Sequence, residues 1–369
     1  MSGILQALLA SFPSDAGYLL YGWGKNNYGV LGLGDTDRRS SPVQVGSEKG
    51  WFKSSSSEDQ SLVVKADGTL WAFGRNGQGQ LGDGTSYSKS SPVQVGALTN
   101  WAQPAAGSLF SGCIKTDNTL WLWGSQSGGR QGNNTNSGPN VDSPVQLGAA
   151  VWAQVDLSAS VNAAAIAIRT DGTLWGWGYR QGFRSGLDNS SSPVQIGVAT
   201  NWAQISIGWT HCMAVSTAGS LWGWATSNFY GNIGDGTVIA RDNPTRIGLL
   251  TDWRQVSAND YFTLSTKTNN TLFAWGRNGN GQLADGTVAS RSSPVQVGAL
   301  TNWYLAIGGR NHSNAIKTDG TLWGWGNSFA GLSLPYVTAS NRSSPVQVGS
   351  ETNWIDLGLK GNSTLALAG

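Results

Sequence analysis

The sequence predicts an all-β fold: a seven-bladed β-propeller of four-stranded blades, its ring closed by N- and C-terminal strands that share one blade. Three periodic elements predict it. The tetrapeptide Ser-Pro-Val-Gln starts at Ser41, Ser91, Ser143, Ser192, Ser293 and Ser344, with a degenerate Asn-Pro-Thr-Arg at Asn243, and the seven prolines lie 49 to 52 residues apart. A tryptophan follows each proline by eight or nine residues: Trp51, Trp101, Trp152, Trp202, Trp253, Trp303 and Trp354. The third element, TLWGWG and its variants, ends at Gly24, Gly74, Gly124, Gly178, Ala225, Gly276 and Gly326. Of the 19 tryptophans, 18 occupy these slots and only Trp209 does not. A self-similar period of about 50 residues with short strands is the signature of propeller blades.

In chain order, residues 1–16 come first. Ile4, Leu5, Leu8, Leu9 and Phe12 are spaced to form one apolar helical face, stopped by Pro13. This segment is expected to anchor the propeller of residues 17–369 to another protein. Each unit then reads as four strands, of the types WAQISIG, HSNAIKT, TLWGWG and SPVQVG. Apolar residues alternate with small or polar ones, as half-buried strands require. The second and third strands meet at Asp67-Gly68, Asp171-Gly172, Asn269-Asn270 and Asp319-Gly320, pairs that suit a tight type I′ hairpin. The Trp and Val/Ile/Leu positions are expected to pack between blades, because aromatics bury a large area per residue. GYLLYGWG, at 17–24, has the third-strand pattern without two strands before it. The C-terminal stretch from Trp354 supplies those two strands and nothing after them, so the chain ends are expected to complete one blade. An open ring would expose sheet edges and an apolar blade face.

Composition narrows the function. Formal net charge is +2 and only 12% of residues are charged, so no strong field favours nucleic acid. No apolar run approaches the ~20 residues of a membrane span. The N-terminus has an apolar stretch without preceding basic residues and makes a poor signal peptide. The Ser/Thr/Asn/Gly-rich composition, with three glutamates, looks like that of proteins on virus particles or outside cells.

GRNGQGQLGDGTSYSKSSPVQVG (74–96) and GGRNHSNAIKTDGTLWGWG (308–326) resemble repeats of the regulator of chromosome condensation type. The resemblance covers residues 17–369 and implies a seven-bladed propeller of ~50-residue repeats. Two departures stand out: the loop after Gly326 lacks the Gln-Leu-Gly pattern, and Ala225 replaces one strand-closing glycine. The family's best-known member is a nuclear exchange factor for a small GTPase that docks on chromatin, with its GTPase-prising element in an insertion within one blade. Here the units leave little room for one. The stretch from first-strand Trp to third-strand Leu is 19 residues in five blades and 22 from Trp152 to Leu174. Exchange activity is therefore the weaker expectation.

Catalytic and metal-ligating residues are not expected. His211 and His312 share one repeat slot that elsewhere holds Gln60, Phe110, Ala164, Phe262 and Ser363, so it reads as a packing position. Cys113 and Cys212 lie at different offsets and suggest neither a disulfide nor a metal pair. Asp83, Asp235 and Asp285 sit beside glycine in separate blades and read as turn residues, since calcium needs six or more converging oxygens. Two basic series recur. Arg39, Lys89, Arg241, Arg291 and Arg342 precede the proline by three; Lys65, Lys115, Arg169, Lys267 and Lys317 precede the third-strand Leu by five. Both are expected to be locally paired, the second with Asp67, Asp117, Asp171 and Asp319. No cofactor is expected.

In an antiparallel blade the first-to-second and third-to-fourth connections share one face, which carries the long, varied loops. Trp209 in SIGWTHC, Tyr261 in NDYFT and the pair Arg310-Asn311 in GGRNHS fall in the first-to-second loops of three consecutive units. They are expected to form an aromatic and polar patch that binds a protein loop or a glycan, with plugging of the axial channel by Trp209 as the alternative. The sequence thus points to a non-enzymatic propeller, tethered by residues 1–16 and presenting its loop face, as a component of a phage virion. A secreted carbohydrate-binding lectin is the competing class.

Overall fold

A computed structural model describes residues 17–160, 164–179, 189–327 and 341–369; the apolar segment with Ile4, Leu5, Leu8, Leu9 and Phe12 lies outside these. The strands build five four-stranded antiparallel sheets and one seven-stranded sheet, which together make seven blades. Blade 1 runs from Trp51–Ser56 through Gln60–Lys65 and Leu70–Gly74 to Lys89–Gln94. Blades 2 to 6 follow in chain order, with first strands at Trp101, inside Val141–Leu157, at Trp202, Trp253 and Trp303. First strands contact the first strands of neighbouring blades around the ring, so they line the axis. Fourth strands lie outermost, and their Ser-Pro edge is partly exposed.

The ring closes as the termini predict. Leu19–Gly24 is the third strand of blade 7 and pairs with Ser363–Ala368, from Leu19 opposite Ala368 to Gly24 opposite Ser363. Trp354–Gly358 and Arg39–Gln44 complete that blade as its first and fourth strands. Blades 2 and 3 share one unbroken strand, Val141–Leu157. Its sequence explains this. The proline-to-Trp interval is one residue shorter here, and GAAVW replaces the polar GALTNW connection of other blades.

Packing between blades explains the repeats. Within a blade, first- and third-strand aromatics meet edge to face, as in Trp303 with Trp323 and Trp325, both at 6.1 Å, and Trp303 and Trp325 pack in one cluster with Phe262, Leu264 and Leu283 of blade 5. Trp303 and Trp325 are 1% and 0% exposed. The Asn-x-x-Gly-Gln-Leu-Gly loop is a clasp. Asn76 accepts from Leu81 N at 2.9 Å and donates to Asp83 at 3.0 Å, folding the loop on itself. The carbonyl of Gln80 then accepts from Ser111 Oγ (2.7 Å) and Trp123 Nε1 (2.9 Å) of the next blade. Gly82 must be glycine: its φ is +77° and a Cβ there would strike the Trp123 ring at 2.6 Å.

The tight hairpins differ from the expected type I′. Positive φ occurs at Gly68, Asn118, Gly172, Asn270 and Gly320 but not at the residue before each. Gly68 N donates to Lys65 O and Lys65 N to Thr69 O, both at 2.9 Å. This is a three-residue loop, a type I turn followed by a left-handed residue. The acidic residue earns its place through its side chain. Asp67 Oδ1 accepts from Thr69 N (2.9 Å) and Oγ1 (2.6 Å), and Thr69 Oγ1 accepts from Trp71 Nε1 at 2.9 Å. An Asx turn of this kind competes well with the symmetric I′ geometry.

Candidate functional site

The first-to-second loops surround the axis at one face, and their side chains converge there. Trp209, half-buried, stacks on Tyr261 with ring centroids 6.4 Å apart and an interplanar angle of 23°. The Trp209 N–H donates to Asn259 O at 3.2 Å, which fixes the loop against blade 5. Tyr230, 38% exposed, meets Tyr261 edge-on at 5.6 Å. Arg310 lies over the Trp209 ring at 5.4 Å, and Arg277 over Tyr230 at 5.6 Å.

Arg310 is the hub of this mouth. Its guanidinium reaches Glu58 of blade 1 at 3.1 Å and Asp260 of blade 5 at 3.3 Å. Burial pushes the Asp260 carboxyl up to about 8, with Arg310 and Arg277 opposing and Glu58 adding to the rise. Asn311 does not join the cluster; its side chain accepts from Asn280 Nδ2 at 3.3 Å, toward the third-to-fourth loop of blade 5. So the structure brings Trp209, Tyr261 and Arg310 together and sends Asn311 elsewhere.

Deeper in, Lys360 crosses the axis. From the first-to-second loop of blade 7 its Nζ bonds to Asp156 of blade 3, to Leu157 O (2.7 Å) and to Ile207 O (3.4 Å) of blade 4. Asp156 Oδ2 also accepts from Ile207 N at 2.9 Å. A lysine spanning the ring thus occupies the channel, while Trp209 stacks at its rim. Below it runs a belt of glutamines: Gln103, Gln154, Gln204 and Gln255 each donate to a first-strand carbonyl of the next blade at 2.9–3.2 Å.

Sequence reasoning missed Glu58, Asp260, Arg277, Tyr230 and Lys360. Arg277 follows the third-strand glycine as Arg75 does, and Tyr230 sits in a poorly patterned loop. It also missed Phe229 (83% exposed), Val238 and Ile239 beside Tyr230. Asn228 Nδ2 ties this loop by donating to Thr237 O and Ile239 O.

The other candidates have structural places. His211 Nε2 meets Thr263 Oγ1 of the next blade at 2.8 Å, and His312 Nε2 meets Thr364 Oγ1 at 3.4 Å. In the same slot Gln60 Nε2 donates to Ser111 Oγ at 2.7 Å. The slot is an inter-blade bridge. Both imidazoles are fully buried, which pushes each down to about 3. Cys113 and Cys212 are buried and not joined in a disulfide, and burial pushes the Cys113 thiol up to about 12. Asp83, Asp235 and Asp285 each bond to the Thr two residues on, as turn residues do.

Of the basic series, Arg39, Lys89, Arg241 and Arg291 pair with Asp35, Asp83, Asp235 and Asp285. The second series is different from expectation. Lys317 Nζ lies over Trp303 and Trp323 at 5.1 and 3.6 Å, Lys115 over Trp101 and Trp121, and Arg169 over Trp152 and Trp175. Lys65 and Lys267 repeat the arrangement. The turn aspartates bind their own Thr; all five cations lie over aromatic faces, and Lys65 and Lys267 also pair with Glu48 at 2.6 Å and Asp252 at 3.2 Å.

Residues 19–64, 67–114 and 269–316 match the model of the regulator of chromosome condensation (RCC1) repeat, and a second model of that repeat matches 253–282. No curated protein sequence matches the chain. Solved structures share the fold. Prp20p from Saccharomyces cerevisiae, described with its binding properties to Gsp1p and histones, aligns with TM-score 0.81 and 17% identity over 96% of this chain and 92% of its own. The structure of Kap60 bound to yeast RCC1 (Prp20) gives 0.82 and 16% over 99% and 91%. Human WBSCR16 gives 0.80 and 18% over 96% and 99%.

Proposed function

We propose that this chain, a seven-bladed propeller carrying RCC1 repeats, is a non-enzymatic protein-docking module whose binding surface is the loop-face mouth around Trp209. One observation carries the reading. Trp209, Tyr261 and Tyr230 form a partly exposed aromatic step on adjacent blades, braced by Arg310 and Arg277 and flanked by exposed Phe229. Tryptophan, tyrosine and arginine are the residues that dominate binding energy at protein interfaces, and held rings lose little entropy on binding. The frame beneath is rigid: Arg310 ties blades 1, 5 and 6, and Lys360 ties blades 3, 4 and 7. Two of the three solved structures of this fold, both of Prp20, are described with protein partners, Gsp1p and histones in one and Kap60 in the other, which agrees with a docking role for the scaffold.

The composition supports a setting in a phage particle, with residues 1–16 as the tether and a host-surface or particle protein at the mouth. Exchange on a small GTPase is the second reading, favoured by the fold shared with Prp20p. The test places a photo-crosslinking amino acid at Tyr261, and separately at Val198, which is 92% exposed in the fourth-to-first connection on the other face. Mass spectrometry of purified particles and of host envelopes then identifies adducts. A single adduct species from position 261 and none from 198 supports the reading. Equal, diffuse adducts from both positions contradict it, and accelerated nucleotide release from a small GTPase establishes the second reading instead.

A further inference from the structure

Where blade 7 meets blade 1, a groove of about 610 Å³ opens on the loop face, lined by Asn27, Tyr28, Thr36, Ser88 and Ser90. It is distinct from the mouth and uses none of its residues. Tyr28, 46% exposed, sits in it with its backbone at φ 61°, ψ 8°. That left-handed conformation is unusual for an aromatic residue. The short turn at Ser127–Gly129 in blade 2 has the same form, and there the equivalent residue is Gly128, at φ 71°. Glycine is what the backbone asks for. The tyrosine at 28 is held against its own preference, and strain of this kind concentrates at ligand sites.

The surroundings define the chemistry. Arg75 lies over Tyr28 at 5.3 Å and is itself paired with Asp59 at 3.3 Å. Arg39, three residues after Thr36, is paired with Asp35, and Lys89, between Ser88 and Ser90, with Asp83 at 3.5 Å. The groove is therefore lined without a formal charge. Among the described residues, the side chains of Asn27, Thr36 and Ser90 make no internal hydrogen bond, and Ser88 Oγ only accepts from Asn76 N at 3.2 Å. The walls are firm. Gly34 N donates to Ser90 O at 2.8 Å, and Gly29 passes so close that a Cβ would meet Ser90 Cα at 2.3 Å.

We propose that this groove binds a neutral saccharide, with Tyr28 as the stacking platform and the amide and hydroxyls of Asn27, Thr36 and Ser90 reading sugar hydroxyls. A volume of several hundred Å3 holds a small ligand. An apolar peptide would leave four hydrogen-bonding side chains unmatched. A phosphate would find no cation among the lining residues.

The experiment titrates the full chain, observed by ligand-detected NMR, with chitobiose, lactose, maltose and cellobiose, and with glucose 6-phosphate as the anionic control. Tyr28→Gly removes the ring while suiting the left-handed backbone, so folding is preserved. At least one neutral disaccharide binds, and Tyr28→Gly weakens it at least about tenfold with a melting temperature equal to or above that of the parent. Binding of none of the four, unchanged binding by Tyr28→Gly, or binding of the phosphorylated sugar alone overturns the proposal.

Discussion

On the tight-turn face, blades 1, 2, 3, 5 and 6 each hold a cation over two aromatic rings. On the loop face, one slot near the axis carries Glu58, Ser108, Trp209, Asp260, Arg310 and Gly361 in successive described blades. Both faces belong to the same repeated hairpins. One face repeats because its contacts are internal: a Lys over its own blade's tryptophans is satisfied wherever the blade stands. The other differs blade by blade because its contacts cross the ring, and Arg310 needs Glu58 and Asp260 at specific places around it. The repeated positions hold the ring together, and the unrepeated ones are where we propose that a partner is recognised.

The largest effect should come from breaking the ring itself. Deleting residues 1–24 removes the third strand of blade 7 and leaves Ser363–Ala368 without its partner. The protein is expected to lose cooperative unfolding and aggregate, as circular dichroism and light scattering would show. Deleting residues 1–15 alone should leave a cooperative transition.

Acid and base act on buried groups of the ring in opposite senses. His211 and His312 are pushed down to about 3, so the unfolded chain takes up protons that the folded one refuses. Stability is therefore lost as pH falls below about 6.5. Asp260, pushed up to about 8, holds a proton that the unfolded chain sheds above pH ~4, so stability declines as pH rises toward 8. Asp356, up to about 6, acts in the same sense at lower pH. A maximum near pH 6.5 is expected, with a decline of up to about 1.4 kcal/mol per pH unit above it. Asp260→Asn should flatten the alkaline limb. Chemical denaturation from pH 4 to 9 measures both limbs.

The repeated face is sharpened by smaller changes. Lys317→Met removes a largely buried cation from Trp303 and Trp323 and is expected to cost about 1–2 kcal/mol. Blade 4 has Ser216 opposite Trp202, and blade 7 has Ala368 opposite Trp354, where the other five have Lys or Arg. Ser216→Lys is expected to add about 0.5–1 kcal/mol. Urea titration resolves either change; a loss on inserting the lysine would show that the ring pair of blade 4 is closed to a cation.

Much of this was legible in the sequence, for identifiable reasons. Blade count, strand order and closure follow from Pro-to-Trp spacing, because each repeat must present the same packing surface to its neighbours. Trp209 was marked by being the tryptophan outside every repeat slot. The hairpin type was misread because Asp-Gly suits two turn geometries, and the Thr that follows decides between them through the Asx turn. Local pairing of the Lys series holds for Lys65 and Lys267, with Glu48 and Asp252, but its aromatic contacts were missed because the tryptophans it covers lie on adjacent strands, not in adjacent sequence. Contacts across the axis had no local signal at all. Arg310 and Glu58 are 252 residues apart, and Lys360 and Asp156 are 204 apart.

The central claim, that repeated tryptophans hold the ring while the unrepeated one recognises a partner, is tested most directly by Trp303→Ala and Trp209→Ala side by side. For each, unfolding free energy is measured together with retention on purified particles and host cells. Trp303→Ala is expected to lose about 3–5 kcal/mol, its folded fraction binding as the parent does. Trp209→Ala is expected to lose less than about 1 kcal/mol and to lose binding. A Trp209→Ala protein as destabilised as Trp303→Ala, yet still bound once folded, would contradict the account.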